Sequence, residues 1–295
     1  MQAANRGLAR TWALSRRILP SATRIAGNVC KVGRMGRALI TGASSGLGKE
    51  FAWELAAERN DVVLVARSEE RLMELAESIR QKAGVDVEVL PADLSTSAGV
   101  QKVANRLGAQ DDPITLLINN AGGGLGQEFV GGQARVEMSG ANVMVNAVLV
   151  LSHAATKAMV ARGRGTIINV ASITSMTVQG TYSAHKAWVK TFTEGLAADL
   201  EGTGVNATVV LPGLMHTEFH QRSHVDSSQW PEWAFLSLNT VVQATLDAAR
   251  HRRVLVVPGL LYKAAYGALK VAPRSLVRFF AGPKLSGRSA GIPNS

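Results

Sequence analysis

Tyr182 and Lys186 stand four apart in GTYSAHKAW (residues 180–188), a spacing that sets a phenol and an ammonium on one face of a helix. A free phenol keeps its proton up to a pKa of about 10, and a fixed positive charge beside it favours the phenolate. The pair therefore has the makings of a proton donor with an electrostatic partner, although Tyr and Lys also lay apolar stems and polar tips on ordinary helix surfaces. TGASSGLGKE (residues 41–50) offers a second chemistry. Gly42 permits a tight turn, Gly46 lets backbone approach a pyrophosphate, and Gly48 allows close packing of the next helix, whose free N–H groups attract an anion. The stretch lacks the Lys-Ser/Thr ending of a P-loop, which disfavours ATP and GTP. About twenty residues on, LVAR puts Ala66 and Arg67 where an acid would hold the ribose 2′-hydroxyl of NAD. A guanidinium pairs with a 2′-phosphate instead, so Arg67 points to NADP; with Glu69 and Glu70 close by, a solvated loop residue is the other reading.

HTEFHQRSH invites a metal reading, because His216, His220 and His224 are spaced at i, i+4 and i+8. A zinc hydrolase helix carries Glu directly after its first His, whereas Glu218 falls two on, and three His over two turns reach too far for one ion. The expectation is no metal, and a helix over a substrate cleft. His153 reads as packing.

These residues need a frame. ALIT, VVLVA, VEVL, ITLLINNAG, GTIINVAS, VNATVVLPG and RVLVVPG are short apolar runs, rich in β-branched residues and bounded by Gly, Pro, Asp or Asn. Between them lie GKEFAWELAAERN, EERLMELAESIRQKAG and SAGVQKVANRLGAQ, with helical spacing. Strands alternating with helices of this length predict right-handed crossovers and a doubly wound parallel α/β sheet covered on both faces. Ligands in such folds sit beyond the carboxyl ends of the strands. We expect a single domain over residues 37–258, a basic N-terminal extension over 1–36 and a basic amphipathic tail over 259–295.

Composition limits the alternatives. A chain of 295 residues with 46% hydrophobic content can bury a large core, and Cys30, the lone cysteine, rules out an intrachain disulfide. The net charge of +10 belongs to the ends: residues 1–37 carry eight Lys/Arg and residues 250–295 nine, neither with an acid, leaving 15 basic and 22 acidic residues between. No reading element or interleaved aromatics accompany these bases, so nucleic acid is not the expected partner, and an anionic membrane surface or a targeting role suits them better. The acid-free, Arg- and Ser-bearing start reads as a mitochondrial transit peptide or as a plain basic arm. An intracellular protein, cytoplasmic or peripheral on a membrane, is expected. The tail PGLLYKAAYGALKVAPRSLVRFFAGPK interleaves Lys263, Lys270, Arg274 and Arg278 with apolar residues at helical spacing, as a helix lying on lipid, packing on the domain or completing a subunit interface would.

TG-x-x-x-G-x-G at 41–48, NNAG at 119–122, Ser172, Tyr182 to Lys186 and Pro212–Gly213, in this order, resemble the short-chain dehydrogenase/reductase family over residues 37–258. The resemblance implies a homo-oligomeric, dimeric or tetrameric, Rossmann-type NAD(P)(H) oxidoreductase. Carried residue by residue, it implies a catalytic set of Asn146, Ser172, Tyr182 and Lys186. Tyr182 would protonate the developing alkoxide, Ser172 would bond the same oxygen, Lys186 would supply charge and hold the nicotinamide ribose, and Asn146 would anchor a water relaying protons to Lys186. It further implies cofactor contacts from Gly42, Ser44, Ser45, Gly46, Leu47 and Gly48, from Arg67, and from Asp93 and Leu94 at the adenine. Asn120, Ala121 and Gly122 would line the adenine ribose and Pro212, Gly213 and Thr217 would flank the nicotinamide, with Asn119 bracing the sheet and His185 a bystander. Ser172 and Tyr182 are ten apart, fewer than the family usually has, so Thr174 or Ser175 competes for the role of Ser172. The tail resembles the ends of reductases that act on acyl-chain ketones. The expectation is thus NADPH-dependent reduction of a ketone or aldehyde, plausibly on a lipid-like or 3-oxoacyl substrate. The rivals are oxidation of a secondary alcohol on the same fold, and a cofactor-binding regulator without turnover.

Overall fold

The computed structural model describes residues 36–217 and 230–282. Seven parallel strands form one sheet: β1 (Arg37–Thr41), β2 (Asp61–Ala66), β3 (Val87–Pro91), β4 (Ile114–Asn119), β5 (Gly165–Val170), β6 (Val205–Val210) and β7 (Leu255–Val256). All seven predicted runs become strands, although the last keeps only two residues of RVLVVPG. Their order is β3-β2-β1-β4-β5-β6-β7. The chain thus winds outward one way from β1 and then the other way from β4. The crevice where the order reverses is where a doubly wound sheet receives its ligand.

Helices cover both faces. Those on one side are α1 (Gly46–Ala57), α2 (Glu69–Ala83) and α7 (Leu238–Arg250), whose Phe51, Leu55, Leu72, Ile79, Val242 and Leu246 pack with Ile40, Leu64 and Ile118 of the strands. On the other side are α3 (Ser97–Gly108) and α5 (Ala147–Ala161), whose Val103, Leu107, Leu151 and Met159 meet Leu39, Val63, Leu117 and Ile167. Successive strand residues point to opposite faces, so both faces of each strand must be apolar, as the continuous Val/Ile/Leu runs are. Local signals set the ends. Ser68 accepts from the Arg71 N–H to cap α2, Gly84 closes that helix at φ 63°, and Thr96 caps α3 through the Gly99 N–H.

The long helix before β5 is not uniform. It begins as α4 (Ala134–Ala141), widens into a π turn over Asn142–Asn146, and resumes as α5. The run Ala134–Ala161 is long and apolar enough to cross a membrane by composition, yet Ala147, Leu151, Ala155 and Met159 are buried in the core of this domain.

Beyond β5 lie a short 3-10 turn (Ile173–Met176) and α6 (Thr181–Asp199). The last described helices are α8 (Leu260–Val271) and α9 (Arg274–Phe280). These last helices are not a detached tail. Tyr262 is buried against Leu211, Val257 and Ala171, Val277 is buried as well, and the Val178 N–H donates to the Ala281 carbonyl at 3.2 Å. The packed body therefore extends past residue 258, the expected boundary. Residues 1–35, including the expected targeting segment, lie outside the described residues.

Candidate active site

The carboxyl ends of β1, β2, β4, β5 and β6 open into one cleft of about 1200 Å³. Its floor is the glycine-rich turn. Gly42 and Gly46 adopt φ +68° and +52°, conformations that L side chains rarely take. A Cβ on Gly48 would stand 2.2 Å from the Gly42 carbonyl oxygen, so α1 can start this close to β1 only as glycine. The turn is braced from β4. Thr41 Oγ1 accepts from the N–H groups of Asn120 and Ala121, both at 3.0 Å, and the Asn120 amide donates to the carbonyls of Thr41 and Gly42. Asn120 thus spends its side chain on the turn while its backbone lines the cleft. Asn119 points into the sheet, donating to Ser152 Oγ and Asn169 Oδ1, as a brace rather than a ligand.

Each predicted cofactor position except Gly48, which α1 buries, faces this cleft: Gly42, Ser44, Ser45, Gly46, Leu47, Arg67, Asp93, Leu94, Asn120, Ala121, Gly122, Tyr182, Lys186, Pro212, Gly213 and Thr217. At the far end Asp93 accepts from the Ser95 N–H and hydroxyl, which hold its carboxyl below the usual range with help from Arg67, against the effect of burial. Two residues there were not foreseen. Ser68 and Arg71, at the start of α2, join Ser44 and Arg67 on the same stretch of wall. The turn from β2 into α2 brings this second guanidinium to the same cleft as the first.

At the other end stand the groups with chemistry. Tyr182 shares a hydrogen bond with Ser172, which pulls its pKa down, but burial dominates and pushes the phenol up to about 12. Lys186 is 5% exposed, donates to the Val170 carbonyl at 2.7 Å, and sits 5.8 Å from the centre of the Tyr182 ring. Burial brings its ammonium down to about 8. Ser172 itself is fixed as the cap of the 3-10 turn, accepting from the Thr174 N–H at 3.2 Å. The next residue is tied to the opposite wall, the Ile173 N–H donating to the Pro212 carbonyl at 2.9 Å. The competing hydroxyls do not reach Tyr182: Ser175 is buried, and neither its Oγ nor Thr174 Oγ1 has a hydrogen-bond partner.

Asn146 departs from expectation. It lies at the end of the π turn, is exposed, donates to Asn142 Oδ1 at 2.8 Å, and does not line the cleft. Within the π turn, Val143 and Met144 face the cleft instead, and Met144 is buried. A Cβ added to Gly122 would lie 3.1 Å from Met144 Cγ and 3.5 Å from Lys186 Nζ, so a thioether neighbours the site where an amide was expected. The wide turn accounts for this placement, because a π turn shifts the angular phase of the residues it contains relative to a regular helix.

His185 lies between Glu137 and Lys186, its pKa lowered chiefly by burial, with Nδ1 buried and unpaired. His153 is exposed rather than packed. His216 stacks on Phe235 at 3.9 Å and meets Glu232 at 3.0 Å, whereas His220 and His224 lie outside the described residues. Among the described residues no three His, Cys, Asp or Glu converge on a metal position.

The profile of the family described as short chain dehydrogenase matches residues 37–227. Among curated relatives, Sulfoacetaldehyde reductase 2 of Chromohalobacter salexigens is 34% identical over 189 residues, which is 61% of this chain and 73% of that protein. Ketoacyl reductase HetN of Nostoc sp. is 34% identical over 182 residues, 60% of this chain and 62% of its own. A short-chain dehydrogenase from Sphingobium yanoikuyae, solved in complex with NADPH, superposes with a TM-score of 0.74 at 34% identity, covering 82% of this chain and 94% of that one. A short-chain dehydrogenase/reductase from Burkholderia phymatum, solved in complex with NAD, gives 0.69 at 26% identity, covering 79% and 92%.

Proposed function

The chain belongs to the short-chain dehydrogenase family and is an oxidoreductase, and from that premise we propose that it reduces a ketone or aldehyde with NADPH. The observation that carries the reading is the trio at one end of the cleft: a phenol bonded to Ser172, with the buried ammonium of Lys186 beside its ring. A dinucleotide fits the other end. Positive-φ glycines, the open start of α1 and the absence of a Cβ at Gly122 leave room for backbone-close phosphates and a ribose. With the phosphates at that end, Lys186, Pro212, Gly213 and Thr217 would hold the nicotinamide beside Tyr182, where it would supply hydride to the carbonyl carbon. Tyr182 gives its proton to the carbonyl oxygen as that oxygen becomes an alkoxide, and Ser172 donates to the same atom. Lys186 stabilises the phenolate left behind. A phenol pushed up to about 12 stays protonated near neutrality, which favours this direction over alcohol oxidation, where the step begins from phenolate.

NADPH rather than NADH follows from the wall at β2. Arg67 and Arg71 line the cleft there with Ser44 and Ser68, a set suited to a 2′-phosphate, and the acid that would hold a free 2′-hydroxyl is replaced by Ala66. The substrate is proposed to be apolar around its carbonyl, because Leu125, Val136, Val143, Met144, Ile173, Leu214 and Met215 line the remaining cleft. Exposed Leu149 and Val150 on α5 support a homo-oligomer.

The test is a panel of aliphatic ketones, β-keto acyl thioesters and alcohols, followed by NADPH and NADH absorbance. Tyr182→Phe is expected to bind NADPH normally by fluorescence titration and to lose turnover by at least about a thousandfold. Turnover surviving in that variant, or equal use of both cofactors by the native chain, would overturn the corresponding part of the proposal.

A further inference from the structure

The C-terminal helices have two apolar faces where a packed helix needs one. Along α8, Tyr262 and Leu269 face the domain, while Leu260, Leu261 and Val271 stand on the opposite side at 83%, 46% and 82% exposure. On α9 the buried residue is Val277, and Leu276, Phe279 and Phe280 are exposed at 49%, 80% and 65%. Six large apolar side chains on two successive helices are more than the scattered exposure of an ordinary surface. Lys263, Lys270, Arg274 and Arg278 are exposed among them, and no acid follows Asp247 in the sequence.

From this charge pattern we propose that α8 and α9 dock the protein on an anionic bilayer surface. Their apolar side chains enter the acyl boundary and the four bases reach back to lipid phosphates. Charge complementarity selects this occupant. A second copy meeting the same face would set four bases against the same four, and residues 1–35 carry seven Lys/Arg and no acid, so both would be repelled where anionic lipid is attracted. The docked helices are also tied to the loops around the cleft. The Tyr262 hydroxyl accepts from the Leu214 N–H at 3.0 Å and donates to the Ala234 carbonyl at 2.7 Å, and the Arg274 guanidinium donates to the Met176 carbonyl at 3.3 Å. Both cleft walls beyond Ser172 and Pro212 are thus tied to helices that would lie on lipid.

The proposal stands apart from the reaction, and its test needs neither cofactor nor substrate. The full chain is sedimented with vesicles of phosphatidylcholine alone and with vesicles containing about one part in three phosphatidylglycerol. Binding is expected to the anionic vesicles, at least about tenfold weaker to the neutral ones, and weakened by salt. Lys263→Glu/Lys270→Glu is expected to lower the affinity about thirtyfold or more. Leu260→Ser/Phe279→Ser is expected to lower it about tenfold or more. Both pairs are on exposed sites, and circular dichroism checks that each variant is folded. No sedimentation with either vesicle, binding unchanged in both variants, or concentration-dependent self-association lost in both would overturn the proposal.

Discussion

Lys186 and Tyr182 lie in the same buried pocket, and burial moves them in opposite senses because it disfavours whichever form carries charge: the ammonium comes down to about 8 and the phenol goes up to about 12. The sign for activity follows directly. Below about 8 Lys186 is charged and Tyr182 carries its proton, so both are in the form reduction needs; as pH rises through about 8 the ammonium is lost while the phenol remains. Carbonyl reduction by the native chain is therefore expected to decline through that window, with kcat following a single deprotonation. A rate level to pH 10 would remove the Lys186 charge from the step. The four-residue spacing in GTYSAHKAW was enough to place these two groups on one face. Asn146 was carried over from the family resemblance rather than from spacing; nothing in the residues of NVMVN marks a π turn, and Met144 lies inward there.

At the scale of elements, the cleft is held by contacts between parts distant in sequence. Gly213 shows the dependence: a Cβ there would stand 2.1 Å from the Tyr262 ring, so the loop after β6 and the first turn of α8 occupy each other's space. The Tyr262 hydroxyl then bridges Leu214 on one strand-end loop to Ala234 on the far side of residues 218–229. Tyr262→Phe keeps the ring and removes both bonds. It is expected to cost about 1–3 kcal/mol in urea unfolding, from the unpaired Leu214 N–H and Ala234 carbonyl, and to raise KM for the ketone more than it lowers kcat. Unchanged stability and unchanged KM together would show that the bridge does not position the loop. The short span between Ser172 and Tyr182 is buttressed by Ala281 and Arg274 through Val178 and Met176. No local pattern in residues 173–181 announces that support, since it comes from about a hundred residues further along the chain.

For the whole molecule, the charge that dominates the composition belongs to the two ends of the sequence. The sheet begins at Arg37, and no described contact in the cleft involves a residue before it. Deleting residues 1–34 is expected to leave kcat/KM for a soluble ketone within about twofold while changing where a tagged chain accumulates. A large loss of turnover would give the N-terminal arm a part in the fold. The doubly wound sheet, the glycine turn, Arg67 and the Tyr182–Lys186 pair were legible in the sequence because each rests on local physics: a period of two or 3.6, a backbone angle that only glycine takes easily, a fixed spacing on one helix. What only the tertiary structure decided was which residues from different elements share a space. Met144 stands close to Lys186, Arg71 lines the same cleft as Arg67, Tyr262 fills the space at the loop after β6, and an apolar face of α8 and α9 is exposed among the described residues. Such adjacencies depend on how strands order themselves in a sheet and how helices lie across it, and burial, which sets both the titration of the active pair and the face proposed to meet lipid, exists only once that packing is complete.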